Sequence, residues 1–336
     1  MIFITGGTGL VGSHILLYLS KENISFKALK RKNSSLKTCK RIFKFYNAED
    51  LFDKIIWIEG EVNDIPSLEE GMKNCTKIIH AAAILSFHKE DQNLMWKVNV
   101  EGTANVMNVA LAMNIKKVAY ISSIAALGRN STTETVDENC YFIESKKESN
   151  YAISKYYSEQ EVWRASEEGM NVVILNPSVI LGPGDWSKGS SQIFETIYNG
   201  LKFYTDGSTG YVDVIDVAKC TIKLLNSNIK NERFIINGEN LTYRSACDSI
   251  ASNFNKPKAT IKVTPFLKEI AWRLEFIRSL FTNKKPLLTK ETMEMSMTKS
   301  SYSNKKIINS TGHKFIPIST SIKNYCNWFI SDKELE

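Results

Sequence analysis

The stretch Ile2-Phe3-Ile4-Thr5-Gly6-Gly7-Thr8-Gly9-Leu10-Val11-Gly12 constrains this chain more than any other. A short apolar run of the kind that forms a buried parallel strand leads straight into glycines at 6, 9 and 12, and Ser13 to Leu19 then reads as a helix. Strand, glycine turn and helix together make a phosphate-binding unit. Gly6 permits the tight turn, Gly9 lets the backbone approach a pyrophosphate, and Gly12 lets the helix pack closely on the sheet. The free amides at the helix N-terminus face the anion.

With 336 residues, 43% of them hydrophobic, the chain can bury one large domain and a smaller lobe. Cys39, Cys75, Cys140, Cys220, Cys247 and Cys326 lie far apart with no C-x-x-C pair, and the four histidines add no ligand-spaced cluster. No metal is expected, and reduced thiols in a cytoplasmic setting are. The sequence opens directly in a strand without a basic leader, and no apolar run approaches the ~18 residues of a membrane span. Net charge is +7, yet the basic residues gather in one early segment with no nucleic-acid motif beside them. A phosphorylated small ligand accounts for them better than nucleic acid does.

That basic segment follows the second strand, Phe26 to Leu29, about 20 residues after the glycine turn, where an NAD-binding unit places Asp or Glu on the ribose hydroxyls. Here the residues are Lys30, Arg31 and Lys32, and no acidic residue occurs between Asn23 and Ala48. An acid would repel a 2′-phosphate, whereas an arginine fork grips it. NADP(H) is therefore favoured, with NAD(H) left open, and Arg31 is the expected phosphate ligand. Lys37 to Lys44 reads as a solvated basic loop.

Further strands are read at Ile55 to Ile58, Lys77 to Ala83 and Val118 to Ser123, with a Pro66-opened helix after Asp64 and a long helix from Asn93 to Met113. This alternation predicts an α/β fold, a doubly wound parallel sheet of Rossmann type with its ligand at the strand C-terminal ends. The small residues Ala81 and Ala82 end one such strand and Ser123 ends another. A helix from Tyr151 through Glu168 puts Tyr151 and Lys155 on one face. A cation at ~4 Å is worth about 4 kcal/mol at an effective dielectric of ~20, roughly three pKa units, enough to bring a phenol into working range.

In this order the motifs resemble those of the extended short-chain dehydrogenase/reductases, the NAD-dependent epimerase/dehydratase family. Thr5 to Gly12 matches the family's T-G-x-x-G-x-x-G turn, Asn99 to Thr103 its N-V-x-G-T helix, Ser123 its strand-end serine, and Tyr151 with Lys155 its Y-x-x-x-K. Asn176 to Gly184 resembles the R-P-x-x-V-x-G-P segment that lies over the nicotinamide, with Asn176 standing where the family has arginine. Ala28-Leu29-Lys30-Arg31 and Gly210 to Ala218 place the chain nearest the dihydroflavonol-reductase-like and 3β-hydroxysteroid-dehydrogenase-like branch.

The resemblance implies reversible hydride transfer between NADPH and a carbonyl of a small substrate. Tyr151 would donate the proton, Ser123 would bond the same oxygen, and Lys155 would depress the phenol pKa while holding the nicotinamide ribose. Asn99 would support Lys155 through an ordered water. The cofactor would contact Gly6, Thr8, Gly9, Leu10, Val11, Gly12, Arg31, Glu61, Val62, Ala81, Ala82, Tyr151, Lys155, Pro177, Ser178 and Val179. Residues 1–176 and 211–238 would form the dinucleotide-binding domain, 177–210 and 239–336 a C-terminal substrate lobe. Candidate pocket aromatics are Phe87, Trp186, Phe194, Tyr198, Tyr204 and Tyr211, pointing to an apolar or aromatic substrate.

One departure matters. Members acting on nucleotide sugars have an arginine two residues before the aromatic at 211, where this chain has Thr209. A sugar epimerase or dehydratase is thus the second reading, and a non-catalytic NADP(H) sensor the third. A homodimer stays open, and the helix near 266–281 reads as core packing over membrane contact.

Overall fold

The computed structural model describes residues 1–128, 135–145, 148–267, 269, 272–273 and 290–335. In chain order the strands that build the site are β1 (Ile2–Thr5), β2 (Phe26–Lys30), β3 (Ile56–Glu59), β4 (Lys77–His80), β5 (Lys117–Ile121), β6 (Asn171–Pro177), β7 (Val179–Leu181), β8 (Ser208–Asp213), β9 (Glu232–Ile236) and β10 (Glu239–Thr242). Seven of them make an all-parallel sheet in the order β9-β6-β5-β4-β1-β2-β3. The order reverses between β1 and β4, which opens the crevice where ligands bind in doubly wound folds.

Strands covered on both faces carry near-continuous apolar runs. Accordingly β1 and β5 are buried along their whole length. One face packs against α1 (Leu10–Lys21), α2 (Lys37–Phe45) and the helix Val214–Asn226, which supply Leu16, Phe43 and Leu224 to its core. The other packs against Ile65–Met72, against a long helix α3 running through Gln92–Trp96, Lys97–Glu101 and Gly102–Ala112, and against α4 (Asn150–Glu167). Val214–Asn226 is numbered α5 below.

The long helix differs from the regular one its sequence predicts, because Lys97–Glu101 is a π-helical turn. The extra residue in that turn swings Asn99 round, and Thr103 closes over it by bonding the Asn99 carbonyl. The stretch read as a solvated loop is also different. Lys37–Phe45 is helical with Cys39, Ile42 and Phe43 wholly buried, since these fall at helical spacing on one face. Its Arg41 leaves solvent to reach the Gly184 carbonyl and Asp332, at 3.0 Å from the latter.

A second, three-stranded sheet in the order β10-β8-β7 sits beyond the C-terminal ends of the main one. The final helix α6 (Ile318–Leu335) is clasped to it by Asp213, which ends β8 and caps α5. Asp213 accepts from the Ile215 amide at 2.7 Å, from Ser321 and from the Tyr325 hydroxyl at 2.7 Å. Of Ile270 to Phe281, all but Trp272 and Arg273 lie outside the described residues. Among the described residues no helix is long and apolar enough to cross a membrane. Asp213→Ala strips a cap and leaves two buried hydroxyls without their acceptor, so it is expected to cost about 2–4 kcal/mol, read as a lower urea midpoint.

Candidate active site

The glycine turn is built by close approach. A Cβ at Gly12 would lie 2.1 Å from the Gly6 carbonyl oxygen, and Gly6 itself has φ +75° with its α-carbon pressed on the Ala81–Ala82 peptide. At Gly9 a Cβ would meet only the Gly6 oxygen, at 3.4 Å, so this side of the turn faces outward. Gly9 caps α1 with no side chain and the first turn holds no acid. The first-turn amides, from Leu10 onward, are left for an anion, and a dinucleotide pyrophosphate fits that cradle. Thr8 is half-buried beside it, Val11 packs inward, and Leu10 lies under Gly182 and Gly184.

Around this turn the other predicted cofactor residues spread unevenly. Lys30 pairs with Glu59 at 3.6 Å, leaving Arg31 exposed at the end of β2. Glu61 is exposed, whereas Val62 is buried beneath Gly102, whose Cβ would be 2.5 Å from it. Pro177 and Ser178 are buried between the two sheets, with the Ser178 amide on the Ile236 carbonyl and Val179 opening β7.

Ser123 and Tyr151 come together. The Ser123 hydroxyl accepts from the Ala125 amide at 3.1 Å and lies close enough to the Tyr151 phenol to act on it, and Phe87 stands against the Tyr151 ring at 6.2 Å. Ser149 caps α4 through the Ala152 amide, which fixes where Tyr151 emerges. Burial pushes the phenol above its ordinary value, and the Ser123 hydroxyl pulls the other way.

Lys155 shares the helix with Tyr151 but is engaged elsewhere. Its ammonium donates to the Tyr120 hydroxyl and the Ile121 carbonyl, each at 2.8 Å. It is 1% exposed, and burial brings its pKa down to about 7, opposed by the Glu159 carboxylate. The expected depression of the phenol by Lys155 is therefore absent from this arrangement. The ammonium satisfies itself on β5, and loss of water drives both groups toward their neutral forms. Asn99 likewise bonds the Ile84 amide at 2.7 Å, the Ile84 carbonyl at 2.9 Å and Ser154 at 3.0 Å, fixing the chain after β4 to α4.

Of the candidate pocket aromatics, only Phe87 packs against Tyr151. Trp186, Phe194 and Tyr211 are buried in the core around α6 with Tyr198 packed on it, and Tyr204 lies under the Arg244 guanidinium at 4.2 Å. Large rings are the first material a small lobe draws on to fill its interior.

Tyr120, His80 and Glu159 are site neighbours that the sequence reading passes over. His80 bridges Thr5 at 2.6 Å and Thr103 at 2.9 Å, its pKa lowered to about 3 chiefly by burial, so the ring is neutral. A tyrosine or histidine inside a strand covered on both faces must find a polar partner, and that requirement is the signal available in the sequence.

A family model described as "NAD dependent epimerase/dehydratase family" matches residues 2–237. The chain belongs to that family. A "Putative dihydroflavonol 4-reductase" of Synechocystis is 27% identical over 335 residues, covering 97% of this chain and 94% of that protein. "Cinnamoyl-CoA reductase 1" of Petunia hybrida is 27% identical over 270 residues, 76% of this chain and 77% of the relative. Among solved structures, that of gox2253 superposes with a TM-score of 0.81 at 26% identity, spanning 99% of this chain and 98% of that one. The protein is thus an NAD(P)-dependent oxidoreductase of the extended short-chain type, and its parallel sheet is the one the sequence predicts.

The lowered pKa of Lys155 has a thermodynamic consequence. Between about 7 in the folded protein and 10.5 in the open chain, the unfolded state binds more protons at this position. Stability contributed by this site therefore rises with pH across that window. The stability of the unmodified protein relative to Lys155→Met is expected to increase from neutral to alkaline pH in paired urea titrations, and a difference independent of pH would contradict it.

Proposed function

We propose that this enzyme reversibly reduces a ketone or aldehyde of a small apolar or aromatic substrate to the alcohol, using NADPH. The observation that carries the reading is the Ser123–Tyr151 hydroxyl pair just past the C-terminal end of β5, at the same end of the parallel sheet as the glycine turn that follows β1. Two hydroxyls converging on one point can meet the oxygen of a carbonyl as it becomes an alkoxide. The relatives described as dihydroflavonol and cinnamoyl-CoA reductases support a carbonyl substrate attached to an aromatic frame. Thr209, buried on β8 in place of a diphosphate-binding arginine, weighs against a nucleotide sugar.

Bound nicotinamide would supply or take the hydride. The residues do the rest. Tyr151 gives its proton to the developing alkoxide, and Ser123 donates a hydrogen bond to the same oxygen. Lys155 would hold the ribose of the bound cofactor and, released from β5, would lower the cost of the phenolate. Asn99 holds the Ile84 backbone and, through Ser154, the helix from which Tyr151 and Lys155 project. Gly6, Thr8, Gly9, Leu10, Val11 and Gly12 would hold the pyrophosphate, Glu61 and Val62 the adenine end, and Ala81, Ala82, Pro177, Ser178 and Val179 the nicotinamide end. In this reading residues 1–176 and 211–238 carry the cofactor, and 177–210 with 239–336 carry the substrate.

The test is NADPH consumption over a panel of ketones, aldehydes, flavonoids, steroids and nucleotide sugars. Reduction of the apolar carbonyls is expected. Inversion of a nucleotide sugar without net cofactor use would replace this reading by the epimerase one.

Two substitutions probe its parts. Arg31 is the fork offered to a 2′-phosphate, so NADP(H) is expected to bind more tightly than NAD(H), and Arg31→Ala to erase most of that difference by calorimetry. Tyr151→Phe removes one hydroxyl and leaves the ring against Phe87. It is expected to retain NADPH binding and to lower kcat by about 10² to 10⁴, the usual worth of one positioned general acid.

A further inference from the structure

Glu159 lies one helical turn beyond Lys155 on α4 and is 1% exposed. Its carboxylate accepts from Ser122 at 2.7 Å, Asn176 at 2.8 Å, the Trp163 indole at 3.3 Å and the Arg233 guanidinium at 3.2 Å. Four donors from α4, β6, β9 and the end of β5 thus converge on one buried anion. Arg233 spends its remaining nitrogens on the Glu138 and Cys140 carbonyls, at 2.8 Å and 3.2 Å. A buried ion pair is weak as a stabilising device, because losing water commonly costs the two charges as much as their attraction returns.

Both ends of the network reach the hydroxyl pair and the lysine. Asn176 donates to Glu159 and also to the Ser123 carbonyl at 3.0 Å, so the peptide presenting the Ser123 hydroxyl is held from Glu159. Ser122, bonded directly to Glu159, precedes it in the chain. On the other side, the Lys155 ammonium meets Tyr120 from β5 and neutral His80 from β4, with Tyr151 one turn before and Glu159 one turn after it on its own helix, and Arg233 behind Glu159. Among these Glu159 is the anion.

We infer that Glu159 and Arg233 form a positioning pair for proton transfer: Glu159 seats Ser123 through Asn176 and Ser122 and sets a negative charge one turn from Lys155, while Arg233 fixes that carboxylate. The inference rests on the reductase reading for its link to turnover. Its electrostatic half does not. Burial draws the Lys155 ammonium toward losing its proton, and its pKa falls to about 7 even with Glu159 opposing this. Without the carboxylate the lysine discharges at lower pH, and less ammonium is left to turn toward a Tyr151 phenolate.

The experiment follows the Lys155 side chain by NMR in the lysine-labelled protein, the resonance being assigned with Lys155→Met, and measures pH profiles of turnover in parallel. Glu159→Gln is expected to lower the Lys155 titration by about one unit, to shift the alcohol-oxidation profile to higher pH, and to reduce kcat at pH 7 about tenfold with KM for the carbonyl little changed. Arg233→Lys is expected to retain the unmodified titration. Because Glu159→Gln strands a buried guanidinium, the double variant Glu159→Gln/Arg233→Met is measured beside it. That variant removes both charges and is expected to shift Lys155 in the same direction. An unmoved Lys155 titration in both variants would overturn the inference, whatever happens to turnover. A shifted titration in a protein that reduces no carbonyl would uphold the positioning pair and overturn the reductase reading instead.

Discussion

The approach of α1 to the turn that feeds it is the constraint on which the site depends. With the Gly12 α-carbon against the Gly6 carbonyl, the helix axis points its first-turn amides past the end of β1. Seating Gly6 there brings the Ala81–Ala82 peptide into contact, so the end of β4 is placed by the same turn. Thr5 then locks the junction, its hydroxyl meeting His80 at 2.6 Å and the Ala82 amide at 3.3 Å. His80 passes the connection to Thr103, and Thr103 passes it to the Asn99 carbonyl. A continuous line of hydrogen bonds therefore runs from the base of the glycine turn to the π-helical turn of α3. The neutrality of His80 suits this role, since a buried imidazolium would need a counter-charge that the line does not contain.

The same economy governs the charged groups. Lys155, Glu159 and Arg233 follow one another through this region, and each is satisfied by protein groups held in place by the strands or the loops beside them. Tyr120 and Ile121 take the ammonium, Ser122 and Asn176 take the carboxylate, and the Glu138 and Cys140 carbonyls take the guanidinium. Burial drives Lys155 and Tyr151 alike toward neutrality. The proposed proton transfer would gain from that, because neither group would hold its charge so firmly that the proton cannot move.

What could be read in the sequence follows from what local pattern records. The order of strands, the glycine turn and the Tyr151–Lys155 spacing are short-range features, and their physical cause lies within a few residues of chain. The π turn escapes such a reading, since Asn93 to Met113 has an unbroken helical pattern and the bulge comes from Asn99 bonding Ile84 and Ser154. Tyr120 and Glu159 escape for a similar reason. Their partners lie 35 residues away for Tyr120 and up to 74 for Glu159. The aromatics misled because size alone does not say whether a ring fills a core or borders a cleft. Trp186, Phe194 and Tyr211 fill one.

The basic segment after β2 carries the same lesson about charge. Counted along the chain it is one cluster; in space its members do different work. Lys30 is neutralised by Glu59, Arg31 stands exposed at the strand end, and Arg41 is withdrawn into a contact with Gly184, Asp332 and the Trp186 ring. Both partners of the Arg41–Asp332 pair are largely covered, at 26% and 12% side-chain exposure, so solvent screens it less than an ordinary surface pair. Phe45 one turn later stacks flat on Trp328 of α6, with ring centres 4.8 Å apart. The helix that follows Arg31 is thus bolted to α6 and to the loop after β7. Since that loop also lies over Leu10, the end of β2, the glycine turn and the smaller sheet form one mechanically continuous wall.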